Sequence, residues 1–70
     1  MDRIDVVSKS LKSVGYESDI QTLEIEFHYP GVYQYYGVPA NVFNELLSAS
    51  SKDGYYRDHI ENKYRYRQLR

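Results

Sequence analysis

The chain contains no cysteine and no tryptophan. The first absence excludes a disulfide framework and any thiolate-bound zinc site, and a disulfide-free domain of this size suits a reducing compartment. No apolar run exceeds three residues, far short of the roughly 20 that a membrane-spanning helix needs. The opening Met1-Asp2-Arg3-Ile4-Asp5 carries two acids and no apolar stretch, so no secretory signal is expected there. These absences predict a cytoplasmic protein with no membrane partner. With 70 residues, the chain is read as one domain, residues 1–70 with a core over about 8–69. A chain this short buries only about 60% of the surface its unfolded form exposes, so a thin stability margin is expected.

What is present is 41% hydrophobic and 27% charged residues, too apolar for disorder and too polar for a membrane. Nine tyrosines stand against two phenylalanines. Tyrosine offers a large contact area with a polar tip, which suits both a small core with wet edges and a binding surface. The net charge of −1 is unevenly placed: residues 1–51 carry three basic and seven acidic side chains, and residues 52–70 carry six basic and three acidic ones. Such asymmetry marks either an interaction surface or a basic final helix turn that complements the helix dipole.

Leu23, Ile25 and Phe27 alternate with Glu24, Glu26 and His28, the period of a strand with one buried and one wet face. Val14-Gly15-Tyr16 reads as its partner strand, joined through the turn-prone Glu17-Ser18-Asp19. Tyr29-Pro30-Gly31 is a second turn, followed by the β-prone run Val32-Tyr33-Gln34-Tyr35-Tyr36. The period then changes. Val42, Phe43, Leu46 and Leu47 form one stripe of a helix opened by Pro39. Ser48 to Gly54 interrupts it, and Asp53 is expected to cap a second helix in which Tyr56, Ile60 and either Lys63 or Tyr64 share a face. The alternating tail Tyr64-Arg65-Tyr66-Arg67 is compatible with an extended strand. The predicted fold is α+β: a three-stranded antiparallel meander followed by two helices packed on one face, β-β-β-α-α. Leu23, Ile25, Phe27, Phe43, Leu46, Leu47, Tyr56 and Ile60 are expected to form its core.

These residues resemble the KTSC domain, a family found at the C-terminus of some lysyl-tRNA synthetases and alone in bacterial proteins. The resemblance runs from about Ser8 to Leu69 and rests on an ordered set of short pieces. They are Val14-Gly15-Tyr16, Leu23-Glu24-Ile25-Glu26-Phe27, Gly31-Val32-Tyr33-Gln34-Tyr35, Val38-Pro39, Leu46-Leu47 with Ala49, Gly54-Tyr55-Tyr56, Ile60 and Tyr64. Tyr33-Gln34-Tyr35 corresponds to the family's central Tyr-x-Tyr. What the resemblance implies is a small accessory domain, with RNA binding suggested by its association with a tRNA synthetase.

No catalytic constellation is legible. His28 and His59 fall on different elements, no serine has a nearby acid–base pattern, and the four glycines are spread singly, so no phosphate-cradling loop exists. Glu24, Glu26 and His28 recur at about 6.6 Å along one strand face. That spacing allows a weak metal site, but a solvated sheet face is the preferred reading. No metal, cofactor or enzymatic activity is predicted.

Two features bear on binding. Tyr33 and Tyr35 face the core if the loop between the second and third strands has an odd number of residues, and the open face if it has an even number. Gln34, between them, reads as solvent-facing. Tyr33 and Tyr35 are therefore placed inside and Tyr36 outside. In the basic tail, Arg57, Lys63, Arg65 and Arg67 interleave with tyrosines in the manner of a surface that tracks phosphates and stacks bases. Against this, the sequence pI of about 6.0 is far from a typical nucleic-acid binder, and the arginines also read as a solvated rim. The expectation is a non-enzymatic binding module for RNA through Arg57, Lys63, Arg65, Arg67 and Tyr36. The alternative is a protein-interaction or dimerisation module that uses an exposed sheet edge.

Overall fold

The alternating sequence of residues 22–27 builds the strand on which everything else is assembled. A computed structural model describes all residues from 1 to 70. Its elements in chain order are β1 (Ile4–Asp5), β2 (Leu11–Glu17), a short 3-10 turn (Ser18–Ile20), β3 (Thr22–Phe27), β4 (Val32–Tyr36), α1 (Ala40–Ser48), α2 (Lys52–His59) and β5 (Arg65–Gln68). All five strands form one antiparallel sheet in sequential order β1-β2-β3-β4-β5.

This is the expected α+β class with two additional strands. The order is β-β-β-β-α-α-β, so the three-stranded meander is only the middle of the sheet. β1 has two residues, too few for any periodicity. β5 leaves both helices behind and returns to pair with β4, with Tyr35 opposite Tyr66 and Tyr36 opposite Arg65. That contact spans about thirty residues of chain, so local pattern does not reveal it.

Residues opposed across an antiparallel pair share a face. Val14 pairs with Ile25, Tyr16 with Leu23, Leu23 with Tyr35 and Ile25 with Tyr33, which gathers the apolar side chains on one side. The Phe27 N–H donates to the Gly31 carbonyl at 2.8 Å, leaving His28, Tyr29 and Pro30 as the reversal. That odd count turns Tyr33 and Tyr35 to the core side, as expected from Gln34 between them.

Both helices cover this face. The buried cluster joins Leu11, Val14, Leu23, Ile25 and Tyr35 of the sheet to Val38, Val42, Leu46 and Ile60. Phe27, Phe43, Leu47 and Tyr56, expected in the core, are only half-buried and pack against its margin. Tyr16 closes one end, stacked on Phe43 with centroids 5.2 Å apart and with its hydroxyl donating to the Val38 carbonyl at 2.5 Å. Pro39 precedes α1 as its N-cap residue. The cap of α2 is Ser51, whose Oγ accepts from the Gly54 N–H at 3.1 Å. Asp53, expected as that cap, lies in the first turn and accepts instead from Ser8 and Ser10 of the segment before β2. α2 ends at His59, so Lys63 and Tyr64 lie beyond the helix.

The second face of the sheet is not simply solvated. Glu24 is buried, with its carboxylate paired to Arg3 and accepting from Gln34 Nε2 at 2.9 Å. The Arg3 guanidinium also donates to Ser13 Oγ at 3.0 Å and approaches Glu26 at 3.7 Å. Gly15 makes this possible, because a Cβ there would overlap the Asp2 carbonyl. The N-terminal arm thus lies flat on β2 and β3. The preferred reading of Glu24 as a wet residue is corrected, since Arg3, eight positions before β2, supplies its counter-charge. No group of three or more His, Asp or Glu side chains is arranged to hold a metal.

Candidate nucleic-acid interface

β5 decides where the basic residues go. Its alternation sends Arg65 and Arg67 to the second face, opposite Tyr36 and Gln34, and Tyr66 to the helix side, opposite Tyr35. All four β5 residues are exposed, and the strand forms an edge of the sheet. Tyr36 is half-buried rather than fully exposed, with its hydroxyl donating to Gln34 Oε1 at 3.1 Å. Arg65, Arg67 and Tyr36 therefore form a strip along the β4–β5 end of the second face. Lys63 stands exposed in the turn between α2 and β5, its N–H bonded to the Ile60 carbonyl. Arg57 is separated from this strip. It sits in the last turn of α2 on the helix side, 3.5 Å from Asp58. Of the five residues singled out, three share a surface, one flanks it, and one faces the other way.

The helix side holds a feature that local pattern did not disclose. Beside α2, the helix side of the sheet opens into a cleft of about 470 Å³. Phe27, Tyr33, Tyr35, Tyr56 and Tyr66 wall it, and Ser10, Asp53, Arg57, Glu61 and Asn62 supply polar groups. The rings form a connected set. Phe27 meets Tyr33 and Tyr56 edge-on at 5.6 and 5.2 Å, and Tyr66 lies 5.8 Å from both Tyr33 and Tyr35. Edge-on and offset pairs of this kind satisfy the ring quadrupoles and fix the walls.

The Tyr35 and Tyr56 hydroxyls meet at 2.7 Å. Burial pushes both hydroxyls above the usual tyrosine range, and the nearby charge of Glu61 pushes the same way. Both remain protonated donors near neutral pH. Asp53 is held below the usual carboxylate range by hydrogen bonds from Ser8 and Ser10, so it is ionised. From the sequence, Tyr66 is set among the rings of the basic tail but not in a cleft, and Glu61 and Asn62 are passed over. The period-two tail does carry the signal for Tyr66, because a strand there must separate it from Arg65 and Arg67. Glu61 and Asn62 have no such signal, since their place depends on the chain turning at Asn62, where φ is +63°.

No helix is long and apolar enough to cross a membrane. The KTSC domain profile matches residues 7–64. Over 59 residues, 84% of this chain, the sequence is 44% identical to the lysine–tRNA ligase of Trichormus variabilis. The chain spans only 10% of the length of that ligase. An uncharacterised protein of Stutzerimonas stutzeri is 43% identical over 51 residues, 73% of this chain and 72% of that protein. The crystal structure of a KTSC domain protein from Yersinia pestis superposes with a TM-score of 0.97 at 36% identity, covering 99% of this chain and 97% of that one. The matched profile and the near-complete overlap with that structure agree, and the chain belongs to the KTSC domain family.

Proposed function

We propose that the chain is a cytoplasmic, non-enzymatic binding module for RNA, engaging an unpaired segment across the β4–β5 end of its sheet. The observation that carries this reading is the register that sets Tyr36 opposite Arg65 and Gln34 opposite Arg67. Two exposed guanidinium groups and a half-buried phenol ring share one surface. The guanidinium groups suit successive phosphates, and the ring suits a base. Lys63, in the adjoining turn, extends the positive charge. The similarity to part of lysine–tRNA ligases supports an RNA partner. The test is a titration of labelled single-stranded and hairpin RNA at several salt concentrations with wild-type protein and Arg65→Gln/Arg67→Gln. Absence of wild-type binding at low salt and tens of micromolar protein would remove the RNA reading.

One observation favours a second reading. β5 is an edge strand whose outer N–H and C=O groups have no strand partner, a surface on which an added strand from another protein or a second copy can pair. A chain that binds no RNA but sediments as a dimer, or captures an extended peptide, would establish this alternative.

A further inference from the structure

We propose that the aromatic cleft between β5, β4 and α2 binds a single nucleotide unit, and that it prefers a base carrying an exocyclic amino group. The proposal concerns the face opposite the Arg65–Arg67 strip and stands on the cleft alone. Its walls come first. Tyr33 is half-buried, Tyr66 is 58% exposed, and their centroids lie 5.8 Å apart. They offer ring surface to a planar ligand without any core side chain having to move. A cavity of about 470 Å³ falls within the usual range for small-ligand sites.

The polar groups are ordered along α2. At its C-terminal end Glu61 and Asn62 line the cleft. A carboxylate accepts from the amino group of cytosine and an amide pairs with the edge of adenine, whereas uracil presents a single N3–H between two carbonyl oxygens that a carboxylate repels. At the N-terminal end a second hollow, lined by Lys9, Ser51 and Lys52, adjoins the cleft through the shared Ser10, Asp53 and Arg57. Asp53 keeps its negative charge, with oxygens already engaged by Ser8 and Ser10, and three cationic side chains surround it. Arg57 starts in the last turn, where its Nε lies 3.5 Å from Asp58, but its guanidinium runs back to within 3.6 Å of a Cβ placed on Gly54. With Lys9 and Lys52 it leaves the N-terminal end cationic. Eight helical residues separate the two ends by about 12 Å, enough for a base at the carboxylate end with its phosphate toward the cations. Cations at one end, a carboxylate acceptor at the other and rings between match the polarity of a nucleotide.

Free mononucleotide and one nucleotide of an RNA strand share this chemistry. The experiment is amide chemical-shift mapping of the full chain with CMP, UMP, cytidine, inorganic phosphate and tetracytidylate. CMP should shift the amides of Tyr33, Arg57 and Tyr66 and bind about fivefold or more tightly than UMP. Cytidine should shift the Tyr66 end without Lys52. Glu61→Gln should erase the CMP-over-UMP preference, and Arg57→Gln should weaken CMP while leaving cytidine unchanged. Saturation by tetracytidylate at much lower concentration than CMP would assign the site to a strand, and equal concentrations would assign it to the free nucleotide. CMP should still bind Arg65→Gln/Arg67→Gln, so failure of the second-face RNA reading leaves this result readable. Three outcomes would overturn the proposal: no cleft shifts at roughly 10 mM CMP, shifts reproduced by phosphate alone, or a base preference unchanged in Glu61→Gln.

Discussion

The hydroxyls of Tyr35 and Tyr56 meet at 2.7 Å, tying the fourth strand to the second helix across the floor of the cleft. Tyr35 is 3% exposed, and the Tyr56 hydroxyl is the one protein partner of its own hydroxyl. Tyr56→Phe should therefore cost about 1–2 kcal/mol, mostly from the unpaired Tyr35 hydroxyl. Urea denaturation checks this. The double change Tyr35→Phe/Tyr56→Phe should cost less than the sum of the single changes, because no hydroxyl is then left orphaned.

The pH dependence follows from groups at both ends of the scale. Burial, with Glu45 accepting the Tyr55 hydroxyl bond, raises Tyr55 to about 12, and Tyr35 and Tyr56 are raised as well. Unfolded tyrosines lose their protons from about pH 10. The unfolded chain then binds fewer protons than the folded one, and stability falls with rising pH from there through the folded values. Glu26 is lowered chiefly by its hydrogen bond from Ser13, and Asp53 by Ser8 and Ser10. Their contribution is present above the unfolded carboxylate value of about 4 and is lost as pH falls through the folded values. Thermal melts should show a plateau across neutral pH with losses on both limbs, and Tyr55→Phe should soften only the alkaline one.

Arg3 and Glu24 form the least exposed ion pair, with side chains 23% and 7% exposed. Arg3→Ala leaves a buried carboxylate without its counter-charge and should cost about 3 kcal/mol. Arg3→Ala/Glu24→Gln should recover much of that. The same denaturation series at high salt should give nearly the same difference, because a covered pair is weakly screened.

Leu46 is fully buried at the centre of the cluster, whereas Phe27 is half-buried at the cleft. Leu46→Ala should cost about 2–5 kcal/mol and bring so small a domain close to unfolding. Phe27→Ala should cost less than the usual core Phe truncation, since part of its ring surface is already wet. Calorimetry that ranks Phe27 above Leu46 would contradict the packing described.

For RNA, Arg65→Gln/Arg67→Gln should flatten the log–log salt slope by roughly 1.4 for a single strand. Tyr36→Ala should weaken binding while leaving that slope nearly unchanged, because stacking releases few counterions. Equal salt slopes for wild type and the arginine variant would show that neither arginine meets a phosphate.

Residues 23–27 determined the central strand and its apolar face. Together with the helical stripe Val42, Phe43, Leu46 and Leu47 they determined the α+β class, because a period of two beside a helical stripe has one economical packing. Gln34 and the Pro-Gly turn favoured one orientation of Tyr33 and Tyr35, and the register of β3 against β4 decided it. The absence of cysteine and of long apolar runs excluded disulfides and membrane helices. Tertiary structure decided the rest. Whether Arg65 and Arg67 lie with Tyr36 or with Arg57 depends on β5 pairing with β4, a contact between residues far apart in the chain. Whether Glu24 is wet depends on an N-terminal arm that folds back over Gly15. The cleft brings Tyr66 of β5 together with β3, β4 and the α2 region, segments far apart in the chain. Local periodicity specifies which face of an element is apolar, but pairing between distant segments sets what that face meets, and the candidate sites lie on those distant pairings.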